Sequence, residues 1–349
     1  AIDIADGLWF GATGLTDKPD NGLIVEADTT NLTLKSDTAQ VEIGGALDLG
    51  TGRTLTLSAE NSAVTVGGAV LTAGTLNANA QNITLGDVTN SGTATLTADQ
   101  RVVMGNVMAN SGTLNITANG TGLPNIQMGG LNIANGAFVN IDSDATANVA
   151  ATNVVVTGDV SQGTQAGALN LLATDTTFAA ESLTITGNYD ATAGSALFEV
   201  AGPITVGGNI TVATDAELNM GGDGITATNL DNNGTLALHS DNGITLAQVT
   251  NTGNLTLDSG AGVTTVNTFA VGDAGTITLM GAGLTTDGVF TTQNTVLYQN
   301  YLGTLSAGEV NVDSDDYTIT ASEFNVAGVN QVSGRMQINA SDINVPGGV

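Results

Sequence analysis

The 349-residue chain has no cysteine and few residues of several other kinds. Without cysteine it forms neither disulfides nor thiolate metal sites, so packing alone must stabilise the fold. Lysine and arginine together number five, which leaves almost no material for the charged faces of helices. Aromatic residues make up 3% of the chain. No apolar run reaches the roughly 18 residues that a membrane-spanning helix requires.

The charge of the chain is strongly one-sided. Its 33 aspartate and glutamate residues give a formal net charge of −28 at pH 7, and they are spread along the sequence. Such a surface repels nucleic acid and anionic membranes, so cations are the expected small partners. Salt screens the repulsion between copies of the chain and lets them approach. We therefore expect no nucleic-acid partner and no insertion into a membrane.

Glycine is abundant, at 47 residues, and short apolar alternations recur along the chain. Each is an apolar, polar, apolar triplet, which is typical of a brief strand with one buried face. Examples are Leu55–Leu57, Val64–Val66, Ile83–Leu85 and Leu114–Ile116. Glycine at the corners between strands is expected to supply a positive φ. The turns that precede triplets at intervals of roughly 20 residues contain Gly74, Gly92, Gly112, Gly136, Gly163, Gly194, Gly234, Gly253, Gly275 and Gly334.

A unit of this length cannot bury its own apolar face, because short strands form no closed core alone. Stacked units solve the problem, since Leu, Ile and Val then fill a narrow interior while Thr and Asn face water. The sequence therefore predicts an all-β, single-stranded parallel β-helix (β-solenoid) of roughly 14 to 15 coils of about 20 residues. A β-sandwich or propeller of antiparallel hairpins is the alternative, but those folds usually have longer strands and anchoring aromatic residues.

Two parts of the chain depart from the regular repeat. Residues 1–29 are expected to form an N-terminal cap or docking segment, and residues 30–349 the solenoid. The interval between turns lengthens between Gly163 and Gly194. A solenoid tolerates insertions because they loop out of one face. We therefore expect an irregular middle region near residues 140–200.

Units such as Asn110-Ser-Gly-Thr-Leu-Asn-Ile116 and Asn251-Thr-Gly-Asn-Leu-Thr-Leu257 resemble the β-helical repeats of filamentous-haemagglutinin-like adhesins and autotransporter passengers. The likeness covers roughly residues 30 to 345. It implies a bacterial protein exported to the cell surface or the medium, with a role in adhesion, aggregation or biofilm. Two features of those families are not recognisable here, namely a two-partner-secretion domain at the amino end and a membrane β-barrel at the carboxyl end.

Residues suited to catalysis are sparse. His239 is the one histidine and lacks a partner histidine for a metal or a proton relay. The basic residues are too widely spaced for the cluster with which polysaccharide lyases stabilise an enolate-like intermediate: Lys18, Lys35, Arg53, Arg101 and Arg335. We predict no catalytic residues and no enzyme activity.

Acidic turns are the remaining candidates for a site. Grouped carboxylates are what an inverting glycosidase needs, but these turns have no accompanying histidine or basic residue. They suit calcium better, because that ion prefers carboxylate and carbonyl oxygens. No cofactor is otherwise expected. The calcium candidates are Asp142, Asp144, Asp313, Asp315 and Asp316.

The ends of the solenoid are candidate assembly surfaces, because a terminal coil exposes unpaired backbone and an open apolar core. At the amino end Leu8, Trp9 and Phe10 cluster ahead of a polar stretch. They would either cap their own first coil or dock on the last coil of a neighbour. Apolar triplets continue almost to the carboxyl end, at Phe324, Val326, Met336, Ile338, Ile343 and Val345.

These features predict an extracellular structural protein, either a filament subunit that stacks head to tail or a surface adhesin rod. Self-association is the expected interaction, with host or matrix glycans as further partners. The chain begins Ala1-Ile2-Asp3, which is typical of a protein after signal-peptide removal, although a cloning boundary would look the same. A carbohydrate-active β-helix enzyme and an isolated carbohydrate-binding module are the alternative functions.

Overall fold

The computed structural model describes residues 2–4, 7–10, 23–25, 30–121, 124–144, 146–272, 276–293 and 297–347. All regular secondary structure in these residues is β-strand, and no helix occurs among them. The strands stack in parallel as a β-solenoid of about 14 turns of roughly 20 residues. The predicted fold class is therefore confirmed.

The chain divides into two compact units, Ala1–Ala180 and Glu181–Val349. The strands of unit 1 are β1 (Ile2–Ile4), β2 (Gly7–Phe10), β3 (Leu23–Val25), β4 (Asn31–Lys35), β5 (Val41–Ile43), β6 (Ala46–Leu49), β7 (Thr54–Val66), β8 (Val70–Thr72), β9 (Thr75–Leu85), β10 (Val88–Asn90), β11 (Thr93–Val103), β12 (Val107–Ala109), β13 (Gly112–Ala118), β14 (Ile126–Gln127), β15 (Leu131–Ile133), β16 (Ala137–Asp142), β17 (Thr146–Ala150), β18 (Asn153–Val156), β19 (Val160–Gln162), β20 (Leu169–Leu171) and β21 (Asp175–Ala180).

The strands of unit 2 are β22 (Ser182–Ile185), β23 (Tyr189–Ala191), β24 (Gly194–Val200), β25 (Pro203–Val206), β26 (Ile210–Val212), β27 (Ala216–Gly222), β28 (Gly224–Asn232), β29 (Thr235–Ser240), β30 (Ile244–Asn251), β31 (Asn254–Asp258), β32 (Val263–Val271), β33 (Thr276–Gln293) and β34 (Leu297–Asn344).

Unit 1 contains three parallel ladders. Ladder A runs through β4, β7, β9, β11, β13 and β16. Ladder B runs through β1, β5, β7, β9, β11, β14, β17 and β21. Ladder C runs through β3, β2, β6, β8, β10, β12, β15 and β18. Strands β7, β9 and β11 belong to two ladders because the chain turns a corner within them, where the register shifts.

Unit 2 also contains three parallel ladders. The first joins β24, β27, β29, β31, β33 and β34. The second begins at β22 and β25, and the third at β23 and β26. Both then continue through β28, β30, β32, β33 and β34.

The core is a set of columns in which each inward side chain lies above its counterpart in the preceding coil. In ladder C one column joins Leu47, Val70, Val88, Val107 and Leu131, and all five are buried. Full burial of such a side chain contributes about 1.5 to 3 kcal/mol. Because every strand alternates inward and outward residues, the apolar triplets predicted from the sequence are the units of this core.

The corner glycines serve two different physical requirements. Gly112 and Gly136 have φ of 70° and 82°, as expected for corners that favour glycine. Gly92 and Gly253 do not have a positive φ. A Cβ at either position would overlap with the carbonyl oxygen of the preceding coil, at Gly74 or Gly234. At these two corners glycine is needed because two backbones approach closely, so positive φ was the wrong explanation there.

The chain departs from the simple repeat around β20, while the irregular middle region expected near residues 140–200 stays a prediction. In unit 1, β20 pairs with β16 on one side and with β19 on the other. A column of asparagines on β13, β16 and β20 shows the change, since its successive members Asn115, Asn140 and Asn170 are 25 and then 30 residues apart. The Asn170 side chain is buried and bonds the backbone of Gly167, which fixes the loop before β20.

Candidate assembly interface

Among the described strands β4 is the first of ladder A, and its inward side chains are incompletely covered. Leu32 and Leu34 are half-buried. Their partners one coil further on, Leu55 and Leu57, are fully buried at 0% exposure. At these two positions the first coil therefore exposes part of its apolar side chains, whereas the second coil buries them.

The polar end of β4 is charged. The Lys35 Nζ atom lies 3.1 Å from an Asp37 carboxylate oxygen and 3.7 Å from a Glu60 carboxylate oxygen. The hydrogen bond and charge of Asp37, with a weaker contribution from Glu60, raise the pKa of the Lys35 ammonium above its ordinary value. This cation lies beside the apolar pair Leu32 and Leu34, and charged side chains of this kind are typical of natural strand edges.

The predicted amino-terminal residues Leu8, Trp9 and Phe10 lie on β2, whose backbone pairs with β3 and with β6. Their backbone edges are therefore occupied by strands of the same chain. Their side chains lie outside the described residues, so the choice between self-capping and docking stays a prediction.

The carboxyl-terminal triplets differ in burial although their sequence pattern is the same. Phe324 and Val326 are buried. Met336, Ile338 and Val345 are half-buried, whereas Ile343 is 55% exposed. The Gly347 backbone nitrogen donates a 2.8 Å hydrogen bond to the Ala327 carbonyl oxygen, so the last described coil stacks on the one before it.

The described side chains therefore include two half-open apolar surfaces of interest, one on unit 1 and one on unit 2. We call them the start edge (Leu32 and Leu34) and the end edge (Met336, Ile338, Ile343 and Val345). The end-edge residues belong to the assembly interface predicted from the sequence, and that role stays a prediction, whereas Leu32 and Leu34 were not among the predicted residues. The signal was the alternation in Asn31-Leu32-Thr33-Leu34, which looks like any other strand of the repeat.

His239 lies in a groove of about 320 Å³ on unit 2, which is also lined by Asp223, Asp241 and Asp258. Its Nδ1 atom is 3.7 Å from an Asp258 carboxylate oxygen. The Asp223 carboxylate accepts a 2.6 Å hydrogen bond from the Asn242 amide, and Asp258 accepts one from the Gly260 backbone nitrogen. These carboxylates therefore brace the corners of neighbouring coils.

The calcium candidates do not converge within the part of the chain that the structure describes. Asp142 accepts a hydrogen bond from the Ser143 backbone nitrogen, and Asp144 accepts one from the Asn119 amide. Among the described side chains no three histidine or acidic groups form a metal cluster. Asp313, Asp315 and Asp316 belong to β34, and their side chains lie outside the description. Calcium binding stays a prediction.

Comparisons with known proteins identify no relative. The sequence matches no family model, and no curated protein or solved structure is detectably similar to it. Among the described residues there is no helix long and apolar enough to cross a membrane.

Proposed function

We propose that this chain is a structural protein whose copies stack end to end, the end edge of one copy on the start edge of the next. One observation carries the proposal. Leu32 and Leu34 at the start edge and Ile343 at the end edge keep the apolar alternation of the core but are more exposed than the core residues.

The two edges have the same kind of surface as the contacts within each unit. The ladders among the described strands are parallel, and the outer strand of any open sheet presents unpaired N–H and C=O groups to the next strand. A second copy can extend a ladder by the same backbone pairing that already joins β4 to β7. Covering the apolar side chains of both edges adds about 25 cal/mol for each Å² removed from water.

Because the two edges are different surfaces, the contact between copies is heterologous. Such contacts build open filaments unless the rotation between copies closes a ring. The net charge of −28 opposes association at low ionic strength, and screening within a Debye length of about 8 Å at physiological salt weakens that opposition. We infer an extracellular location from the resemblance to surface adhesins.

Negative-stain electron microscopy of the purified chain at low and at physiological salt tests the proposal. We expect unbranched filaments that lengthen as salt rises. Ile343→Lys places a charge on the end edge at an exposed position, so it should abolish filaments without unfolding the chain. The matched control is Val263→Lys, which changes a 42% exposed valine of unit 2 away from both edges. Filaments that survive Ile343→Lys, or isolated particles at every salt concentration, would contradict the proposal.

A further inference from the structure

A regular grid of hydroxyl groups covers the outward side of ladder A in unit 1. Four consecutive strands form it, namely β7 over residues 54–58, β9, β11 and β13, and we call this grid the threonine face. Its first column is Thr54, Thr75, Thr93 and Thr113, which follow one another in exact register. Two parallel columns begin at Thr56 and at the buried Ser58, and their other members are threonine and asparagine.

The threonine face carries no charge in a chain of net charge −28. If the third column is followed past the four strands, the next residue is charged at each end: Lys35 on β4 and Asp142 on β16. The inward residues between the columns, such as Leu55, Leu96 and Leu114, are buried and fix the backbone beneath the grid. The register shifts of these strands occur at the corners, between Ala59 and Ala63 and between Ala98 and Arg101, and not within the grid.

The hydroxyls of the first column, on Thr54, Thr75, Thr93 and Thr113, have no hydrogen-bond partner within the described part of the protein. Within the grid, one side-chain hydrogen bond joins two neighbours of the same column, where the Asn115 amide donates to the Thr95 hydroxyl at 3.4 Å. The face therefore presents rows of hydroxyls and methyls that are held in place by the backbone and are free to bind an external partner.

The spacing of the grid is close to that of a tetrahedral water network. Neighbouring strands are about 4.8 Å apart, and alternate residues along a strand are about 6.7 Å apart. Water molecules joined by hydrogen bonds of about 2.75 Å in a tetrahedral network have second neighbours about 4.5 Å apart and an axial repeat of about 7.3 Å. The two spacings of the grid agree with these two spacings of the water network to within roughly a tenth. Over four strands the smaller mismatch accumulates to about 1 Å, which is less than half a hydrogen-bond length.

We propose that the threonine face binds ice. Threonine hydroxyls occupy oxygen positions of the crystal surface, and the methyl groups exclude liquid water between them. A protein partner fits the grid less well, because four strands of about five residues cover roughly 300 Å², whereas stable protein interfaces bury about 800 Å² on each side. A crystal also offers the same repeat at every position, so binding needs no single docking register.

The test measures ice growth in solutions of the full chain. We expect thermal hysteresis, a gap between the melting and freezing temperatures, together with faceted crystals and enrichment of the chain in slowly grown ice. Thr95→Lys places a long cation at the centre of the grid and should remove most of the hysteresis. Its matched control, Thr226→Lys, lies in a single exposed threonine column of unit 2 that includes Thr205 and Thr245, and it should leave hysteresis unchanged.

Circular dichroism confirms that both variants keep their β-structure. Ice crystals that grow as smooth discs in a solution of the native chain, as they do in buffer alone, would overturn the proposal. Equal thermal hysteresis for the native chain and for Thr95→Lys would also overturn it. The proposal is independent of end-to-end stacking, because Thr95 lies on neither edge and Thr95→Lys should form filaments normally.

Discussion

The side-chain amide nitrogen of Asn232 donates a 2.7 Å hydrogen bond to the side-chain oxygen of Asn251, and both side chains are fully buried. Each also bonds the backbone of its corner. Asn232 donates to the Asn254 carbonyl, and Asn251 donates to the Gly253 and Thr276 carbonyls. Buried asparagines thus satisfy carbonyl groups that the tight corners leave without strand partners.

Asn232→Ala should lower the free energy of unfolding by about 1 to 3 kcal/mol, because it leaves buried polar groups of the corner without partners. The control is Asn229→Ala, which removes an exposed bond of 2.9 Å to Asn209 and should cost less than about 0.5 kcal/mol. Urea unfolding followed by circular dichroism measures both. Equal midpoints for the two variants would mean that the buried asparagines do not stabilise the corner.

Gly253→Ala tests the close approach of successive backbones. A Cβ at this position overlaps with the Gly234 carbonyl oxygen, so the coils must shift, and overpacking of this kind costs about 1 to 3 kcal/mol. Gly224→Ala is the matched control, because a Cβ there meets nothing within 4 Å. Thermal unfolding of both variants gives the comparison. A Gly253→Ala variant as stable as Gly224→Ala would contradict the proposed steric role.

The alternation of apolar and polar residues predicted most of the core. Alternate side chains of a strand lie on opposite faces, so each short apolar, polar, apolar triplet can bury its apolar residues in only one way. Leu55 and Leu57 are buried as that pattern requires. The glycine turns located the corners at Gly234 and Gly253, but the expectation that asparagine faces water was wrong for Asn232 and Asn251, which are buried. That outcome depends on carbonyl groups of neighbouring coils, which lie close only in the folded chain.

Other features depend on stacking that no local pattern records. In sequence, Leu169-Asn170-Leu171 looks like any other triplet. Its strand β20, however, pairs with β19, the strand immediately before it in the chain, as well as with β16. Similarly, Phe324 and Ile343 occupy equivalent places in apolar triplets, but only Phe324 is buried. Burial at an edge is decided by the presence of a next coil, so periodicity identified the candidate edge residues without ranking their exposure.

Tyr189 gives a prediction for alkaline pH. Its ring is fully buried, with the Phe198 ring packed edge-on at a centroid distance of 5.6 Å. Burial raises the pKa of the Tyr189 phenol far above its ordinary value of about 10. Because the unfolded chain loses this proton first, the contribution to stability is constant below the ordinary pKa and falls as pH rises above it.

Urea midpoints between about pH 9 and pH 11 should therefore fall more steeply for the native chain than for Tyr189→Phe. The slope is the readout, so any cost of Tyr189→Phe at neutral pH does not affect the comparison. Parallel slopes for the two proteins would show that the buried phenol is not responsible for the alkaline loss of stability.

The most direct test of end-to-end stacking mixes two variants that are each blocked at one edge. Ile343→Lys keeps a native start edge, and Leu34→Lys keeps a native end edge, so each alone should sediment as a monomer. The equimolar mixture should form dimers and nothing larger in sedimentation velocity, since one native edge of each kind remains. A mixture that stays monomeric, or either variant polymerising alone, would contradict the account.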